Sequence, residues 1–73
     1  MITPRQYSMC KFIVPDESYR YYFEQTGIAN ERYLIFLGEI PQMPGHCVVA
    51  GESGKVYSCY HSYDFEELTE DEV

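Results

Sequence analysis

Short runs of aromatic and β-branched residues alternate with turn-forming segments along the whole chain. Most of these runs are rich in Val, Ile, Tyr or Phe, which favour a pleated, half-buried surface. Proline, glycine and aspartate separate them, and these residues favour turns. The pattern therefore predicts a mainly β protein with five short strands, at residues 7–14, 33–40, 46–50, 55–60 and 65–68.

The tightest predicted turn is Glu52-Ser53-Gly54, which separates two of the strand segments. Gly54 suits the left-handed residue that closes a three-residue hairpin loop. Pro44-Gly45 is a second turn signal, after Pro41. The hairpin loop predicts three cross-strand pairs: Gly51 with Lys55, Val49 with Tyr57, and Cys47 with Cys59.

Residues 19–26 (YRYYFEQT) fit two local structures. Ser18 can cap a short helix that Gly27 ends. The same run of tyrosines can instead form a strand, because tyrosine favours sheets. The β character of the rest of the chain favours the strand, and one short helix near residues 18–26 is the alternative.

The order of these elements resembles the layout of an SH3-like barrel. A first strand is followed by a long connection, a long second strand, a tight hairpin and a polar turn at residues 61–64. In such barrels a single helical turn precedes the last strand. The resemblance implies a small five-stranded antiparallel barrel formed by residues 1–69, with an acidic C-terminal tail at residues 70–73.

The C-terminal half carries a second resemblance. Residues 38–49 (GEIPQMPGHCVV), 54–56 (GKV), 60–61 (YH) and 65–72 (FEELTEDE) are similar to small uncharacterised bacterial proteins. Some of these proteins are carried on mobile gene cassettes of integrons. The resemblance implies a bacterial source, and it brings no catalytic residues with it.

Length and charge narrow the classes of function. Seventy-three residues allow one domain with a thin core. The chain has 12 acidic and 5 basic residues, for a net charge of −7, although six of the acids lie in the last ten residues. Nucleic acid and anionic membranes are excluded as partners, because phosphate binding needs a basic surface that this sequence lacks.

The cellular compartment is predicted from the cysteines and from the N-terminus. Residues 1–6 lack the apolar region of a secretory signal, and the longest apolar run is only residues 33–37. Three cysteines cannot all pair within one chain, which fits a reducing environment. The sequence therefore predicts a cytoplasmic protein that does not insert into a membrane.

Cysteine and histidine are the candidates for metal binding or catalysis. The predicted hairpin brings Cys47, Cys59 and His61 to one face, where they are candidate zinc ligands. Two closely spaced cysteines, the usual mark of a structural zinc site, do not occur. Buried cysteine usually packs as a small hydrophobic residue, so the sequence predicts no metal and no cofactor. A domain this small leaves little room for a catalytic pocket, which favours a non-enzymatic protein.

Tyrosine is the broader functional signal, with eight residues in the chain. Some of these rings must fill the core. The rest predict a binding surface, because SH3-like barrels line their peptide groove with aromatic and acidic residues from the corresponding regions. Exposed rings on a small domain also favour self-association. The predicted surface consists of Tyr19, Tyr21, Tyr22, Tyr57, Tyr60, Tyr63, Asp16 and Glu17.

The functional prediction is therefore a non-enzymatic protein-interaction module whose partner is another protein, a second copy of itself. The mechanism is burial of the tyrosine-rich surface, with acidic charge setting partner choice. The alternative is a small-ligand-binding or catalytic protein whose pocket forms between subunits around Cys59 and His61.

Overall fold

The computed structural model describes residues 3–13 and 25–72, except for the side chain of Cys59. Five antiparallel strands form one sheet in the order β4-β3-β2-β1-β5. The prediction of a mainly β protein is confirmed. The strands are β1 (Met9–Phe12), β2 (Leu34–Ile40), β3 (Met43–Gly51), β4 (Val56–His61) and β5 (Phe65–Glu67).

Two short 3-10 turns interrupt the strands, at Ile28–Asn30 and at Ser62–Asp64. The second lies where the sequence predicts a polar turn before the last strand. The sequence predicts either a strand or a short helix near residues 18–26. Most of this segment lies outside the described residues. Its last two residues, Gln25 and Thr26, have a helical backbone.

The β2–β3 hairpin differs from the prediction at its turn. The chain reverses at Pro41–Gln42, since Ile40 pairs with Met43, and Pro44-Gly45 lies within β3. The next pair towards the centre of the hairpin is Glu39 with Cys47, so residues 44–46 bulge out of this ladder. Gly45 takes a φ of 82°, and its N–H donates to the Glu39 carboxylate over 3.1 Å.

The β3–β4 hairpin confirms the predicted loop and corrects the predicted register beyond it. Gly54 has a φ of 93°, and the Gly51 N–H donates to the Lys55 carbonyl over 2.8 Å. Val49 pairs with Tyr57 as expected. The predicted pair of Cys47 with Cys59 is wrong, because β4 carries one extra residue there: Val48 faces Ser58, whereas Cys47 faces Tyr60. A β-bulge of this kind moves every later residue to a new partner.

The core lies inside the curled sheet. Tyr60 on β4 contacts Phe12 on β1 and Phe65 on β5, with ring centroids 6.0 and 6.4 Å apart. Because β4 and β5 are the two edges of the sheet, these contacts require the sheet to curl until both edges share one core. The buried hydrophobic residues are Cys10, Ile28, Leu34, Phe36, Cys47, Val49, Tyr57 and Phe65.

A carboxylate anchors the β3–β4 turn to the segment before β2. Glu31 accepts hydrogen bonds from the Ser53 hydroxyl, from the Ser53 N–H over 3.1 Å and from the Tyr57 hydroxyl over 2.6 Å. These donors, led by the Ser53 hydroxyl, hold the pKa of Glu31 below its ordinary value. Burial, reinforced by the Glu31 carboxylate, raises the pKa of Tyr57 to about 12. The phenol is therefore a hydrogen-bond donor at any physiological pH.

The acidic C-terminal residues return to the sheet. Residues 69–72 form a turn in which Glu72 accepts hydrogen bonds from Thr69, and Lys11 on β1 pairs with the Glu72 carboxylate. The Lys11 ammonium is the main reason that the pKa of Glu72 falls to about 2. Both side chains are partly exposed, so this ion pair adds little to stability.

Candidate functional site

The outer face of the sheet, on the side away from the core, carries three cross-strand rows. We call this surface the outer face. The first row is Ile35–Ala50–Val56, the second is Gly38–Val48–Ser58, and the third is His46–His61. Met9 pairs with Ile35 and extends the first row onto β1.

Apolar side chains on the outer face follow from the sequence of β2, LIFLGEI. Side chains alternate between the two faces of a strand, so apolar residues at successive positions must place some of them outward. Leu34 and Phe36 enter the core, whereas Ile35 and Leu37 are half-buried on the other side. Val56 on β4 is 59% exposed. The three rows contain no Lys, Arg, Asp or Glu.

A groove of about 620 Å³ adjoins these rows, between the N-terminal segment and β2. Leu37, Ile40 and Val48 supply apolar walls, and Glu39 is its charged lining residue. The Gln6 side-chain amide donates to the Leu37 carbonyl over 3.0 Å and holds the N-terminal segment across the bulge of β2. The outer face is therefore a shaped surface with a depression beside its second row.

Three rings form a short stack at the third row, and two of them, His61 and Tyr63, are exposed. The His46 and His61 rings lie 4.5 Å apart at their centroids, and the Tyr63 ring stacks on His61 at 5.0 Å. Tyr63 is 53% exposed. The bulge in β4 produces this arrangement, because it shifts His61 opposite His46.

The structure separates the tyrosines that the sequence grouped together. Tyr57 is buried in the core, Tyr60 is half-buried against Phe12, and Tyr63 is on the surface. Of these three rings, Tyr63 is therefore the one that a partner can contact. The other predicted surface residues lie outside the described residues: Tyr19, Tyr21, Tyr22, Asp16 and Glu17.

The described cysteines sit in the core. Cys10 and Cys47 are fully buried, and burial raises the pKa of the Cys10 thiol to about 12 and that of Cys47 to about 11. A thiol is a nucleophile or a metal ligand only as the thiolate, so both are unreactive at neutral pH. Within residues 3–13 and 25–72, no three His, Cys, Asp or Glu side chains are grouped to hold a metal ion.

Asp64, in the turn before β5, is a buried carboxylate that is 7% exposed. Burial raises its pKa, an effect that the neighbouring His61 partly opposes. A folded-state pKa above the unfolded value gives stability that is present below the unfolded value, about 3.9, and is lost as pH rises through the folded pKa. At pH 7 the ionised Asp64 therefore destabilises the fold.

Replacing Asp64 with asparagine is expected to raise Tm by a few degrees at pH 7, because it removes a buried charge while keeping the shape. The gain should vanish near pH 3, where Asp64 is itself protonated. Thermal unfolding at both pH values measures this difference. Glu66→Gln, at an exposed position on β5, is the matched control and should change little. An unchanged or lowered Tm of Asp64→Asn at pH 7 would contradict the prediction.

The outer face, with His46, is the surface that reasoning from the sequence missed. The signal that could have found it is the run of apolar residues in β2. Such a run places apolar side chains on both faces of a sheet. Only one face of this sheet packs on the core, so the apolar side chains of the other face lie on the outside. The position of His46 opposite His61 had no such signal, because it depends on the bulge.

Comparison with models of protein families, with curated proteins and with solved structures found no match. In the part of the chain that the structure describes, no helix has the length and apolar character needed to cross a membrane.

Proposed function

We propose that this chain is a small, non-enzymatic protein-interaction domain with the layout of an SH3-like barrel, and that it binds a second copy of itself through the outer face. The observation that carries the proposal is the set of uncharged cross-strand rows, Ile35–Ala50–Val56 and Gly38–Val48–Ser58. Val56 is exposed and Ile35, Val48 and Ala50 are half-buried, and contiguous apolar surface of this kind marks an interaction site.

The proposed barrel layout is supported by the strand order and by the connections. The last strand pairs with the first, β2 to β4 form a meander, and a 3-10 turn joins β4 to β5. The contact between Tyr60 and Phe65 supports the same layout, because it joins the two edge strands through one core. In this layout the outer face of β2–β4 is the broad surface of one half of the barrel.

Among the surfaces of this molecule, the outer face is the one through which charge opposes self-association least. Two copies each carry a net charge of −7 and repel each other. The other edge strand, β5, carries the exposed Glu66 and also Glu67, which is already paired with Arg5. A contact between two copies at this edge would place like Glu66 charges together or disturb that ion pair. The cross-strand rows bring no charge into the contact, so two copies can meet there at the lowest electrostatic cost.

Stability supports the same conclusion. A domain of this size buries about 60% of its unfolded surface, so its core alone gives a narrow margin. Covering Ile35, Val48 and Val56 would remove further apolar area from water at about 25 cal/mol per Å². Self-association would thus stabilise the fold while it forms the interface.

Val56→Asp is the variant that tests the outer face. Val56 lies at the β4 end of the first row, and the change places a charge in each half of a symmetric contact. We expect the dimer dissociation constant to rise at least about a hundredfold, since an unpaired charge at an interface costs several kcal/mol. Sedimentation equilibrium over a concentration series measures this change.

The matched control is Asn30→Asp, which adds the same charge at an exposed position of a 3-10 turn that belongs to none of these rows. It should leave the dimer dissociation constant nearly unchanged. A wild-type chain that stays monomeric at millimolar concentration would contradict self-association. Equal effects of the two variants would show that net charge, not the outer face, governs association.

A further inference from the structure

The chain has two histidines, and the structure places both in one cross-strand pair. His46 on β3 faces His61 on β4, with ring centroids 4.5 Å apart. His61 is exposed and His46 is half-buried. Paired imidazoles at this separation on a rigid antiparallel ladder resemble the ligand pairs by which proteins hold transition metals.

The hydrogen bond of His46 fixes which nitrogen is available. Its Nδ1 lies 3.3 Å from the Pro44 carbonyl oxygen. A carbonyl oxygen only accepts, so Nδ1 carries the proton and the neutral ring keeps its lone pair on Nε2. Histidines that ligate metals are commonly oriented by a backbone carbonyl in this way.

Tyr63 restrains the second ring. It stacks on His61 with an interplanar angle of 23° and a centroid distance of 5.0 Å. A restrained ring loses less rotational freedom when it binds a ligand, which favours binding. Both imidazoles are thus held before a metal arrives, one by a hydrogen bond and one by stacking.

The rest of the described chain offers weak competition for a metal of intermediate softness. Cys10 and Cys47 are buried as neutral thiols. Carboxylates are plentiful on the surface, but they suit harder cations such as Mg²⁺ and Ca²⁺. Imidazole suits Zn²⁺, Cu²⁺ and Ni²⁺, and Cu²⁺ binds nitrogen ligands most tightly in this series.

We propose that His46 and His61 form a two-imidazole chelating site for a late first-row divalent cation, with solvent completing the coordination. The site is open, because the pair supplies two ligands and no third His, Cys, Asp or Glu joins them among the described residues. It is a feature of one chain and does not depend on self-association. A cation held there leaves coordination positions free for a further ligand.

The test is a Zn²⁺ titration by calorimetry on the full-length chain at a concentration where it is monomeric. Cys59→Ser is the background throughout, so that the third thiol does not contribute. We expect His46→Gln and His61→Gln each to raise the Zn²⁺ dissociation constant about a hundredfold, since either change converts a chelate into a single ligand. The double variant, which keeps neither imidazole, should bind Zn²⁺ at least as weakly as either single one.

Two controls accompany the titration. Tyr63→Phe keeps the stacked ring and removes the phenol oxygen, and its Zn²⁺ affinity should equal that of the background. The heat released on adding Mg²⁺ should be the same with and without His46→Gln, because Mg²⁺ prefers oxygen ligands and does not use the imidazoles. Loss of binding in Tyr63→Phe would show that the phenol is a ligand and would overturn the two-imidazole site.

Pulsed electron paramagnetic resonance with bound Cu²⁺ gives an answer that needs no variant, because it counts the coordinated imidazoles. Two coupled imidazoles are expected at one equivalent of Cu²⁺. A single coupled imidazole, or a Zn²⁺ affinity that His61→Gln leaves unchanged, would overturn the proposal. Failure of self-association affects neither measurement, so the two proposals succeed or fail separately.

Discussion

Replacement of Phe36 with alanine is expected to unfold much of the protein near physiological temperature. Phe36 is 2% exposed in the centre of β2 and belongs to the buried core. Removing a buried phenyl ring costs about 3–5 kcal/mol, because it forfeits transfer free energy and leaves a cavity. A chain of 73 residues has a total stability of about 4–11 kcal/mol. The single change would therefore remove a large part of the free energy of unfolding.

The measurement is urea unfolding followed by far-ultraviolet circular dichroism, with Tyr63→Ala as the matched control. That variant also deletes an aromatic ring, but from a position that is 53% exposed. Its cost should stay within about 0.5 kcal/mol, as for most surface changes. Similar losses of unfolding free energy in the two variants would contradict the assignment of Phe36 to the core and of Tyr63 to the surface.

The strands could be predicted because local composition and local structure agree in this chain. Residues 33–40 are dense in aromatic and branched side chains, and they form β2 almost in full. The Glu52-Ser53-Gly54 loop was also predictable, since Gly54 has the left-handed conformation that the loop type requires. Such signals depend on the residues themselves and not on distant partners.

The register beyond the hairpin could not be predicted from the same signals. The extra residue in β4 moves Tyr60 opposite Cys47 and moves His61 opposite His46. Nothing in the segment SCYH marks that position as a bulge. The choice is made by packing, because the bulge turns the Tyr60 ring towards Phe12 and Phe65 in the core. Tertiary contacts of this kind leave no local trace in the sequence.

The role of tyrosine was only partly predictable for the same reason. Tyr57 and Tyr63 lie only six residues apart, yet one is buried and the other exposed. The buried ring needs a partner for its hydroxyl, and Glu31 supplies one from a segment 26 residues away. The sequence shows that rings are abundant, whereas the distribution of hydrogen-bond partners decides which of them enters the core.

The same carboxylate leads to the second large effect, at Gly51. A Cβ atom at Gly51 would fall against the Glu31 carboxylate, closer than real Cβ contacts come. Gly51→Ala must therefore displace Glu31 and break its bonds to Ser53 and Tyr57. We expect a loss of about 1–2 kcal/mol, mainly because the hydroxyl of the buried Tyr57 loses its acceptor. Urea unfolding measures this loss.

A double-mutant cycle with Glu31→Ala shows whether the Glu31 carboxylate is the cause. Gly51 lies in β3 without a left-handed φ, so alanine suits its backbone once the carboxylate is gone. In the Glu31→Ala background the Gly51→Ala change is expected to be neutral or to stabilise by about 0.5 kcal/mol. The sign of the effect would then depend on one side chain 20 residues away. A loss of the same size in both backgrounds would mean that Gly51 is required for its backbone and not for the space that Glu31 occupies.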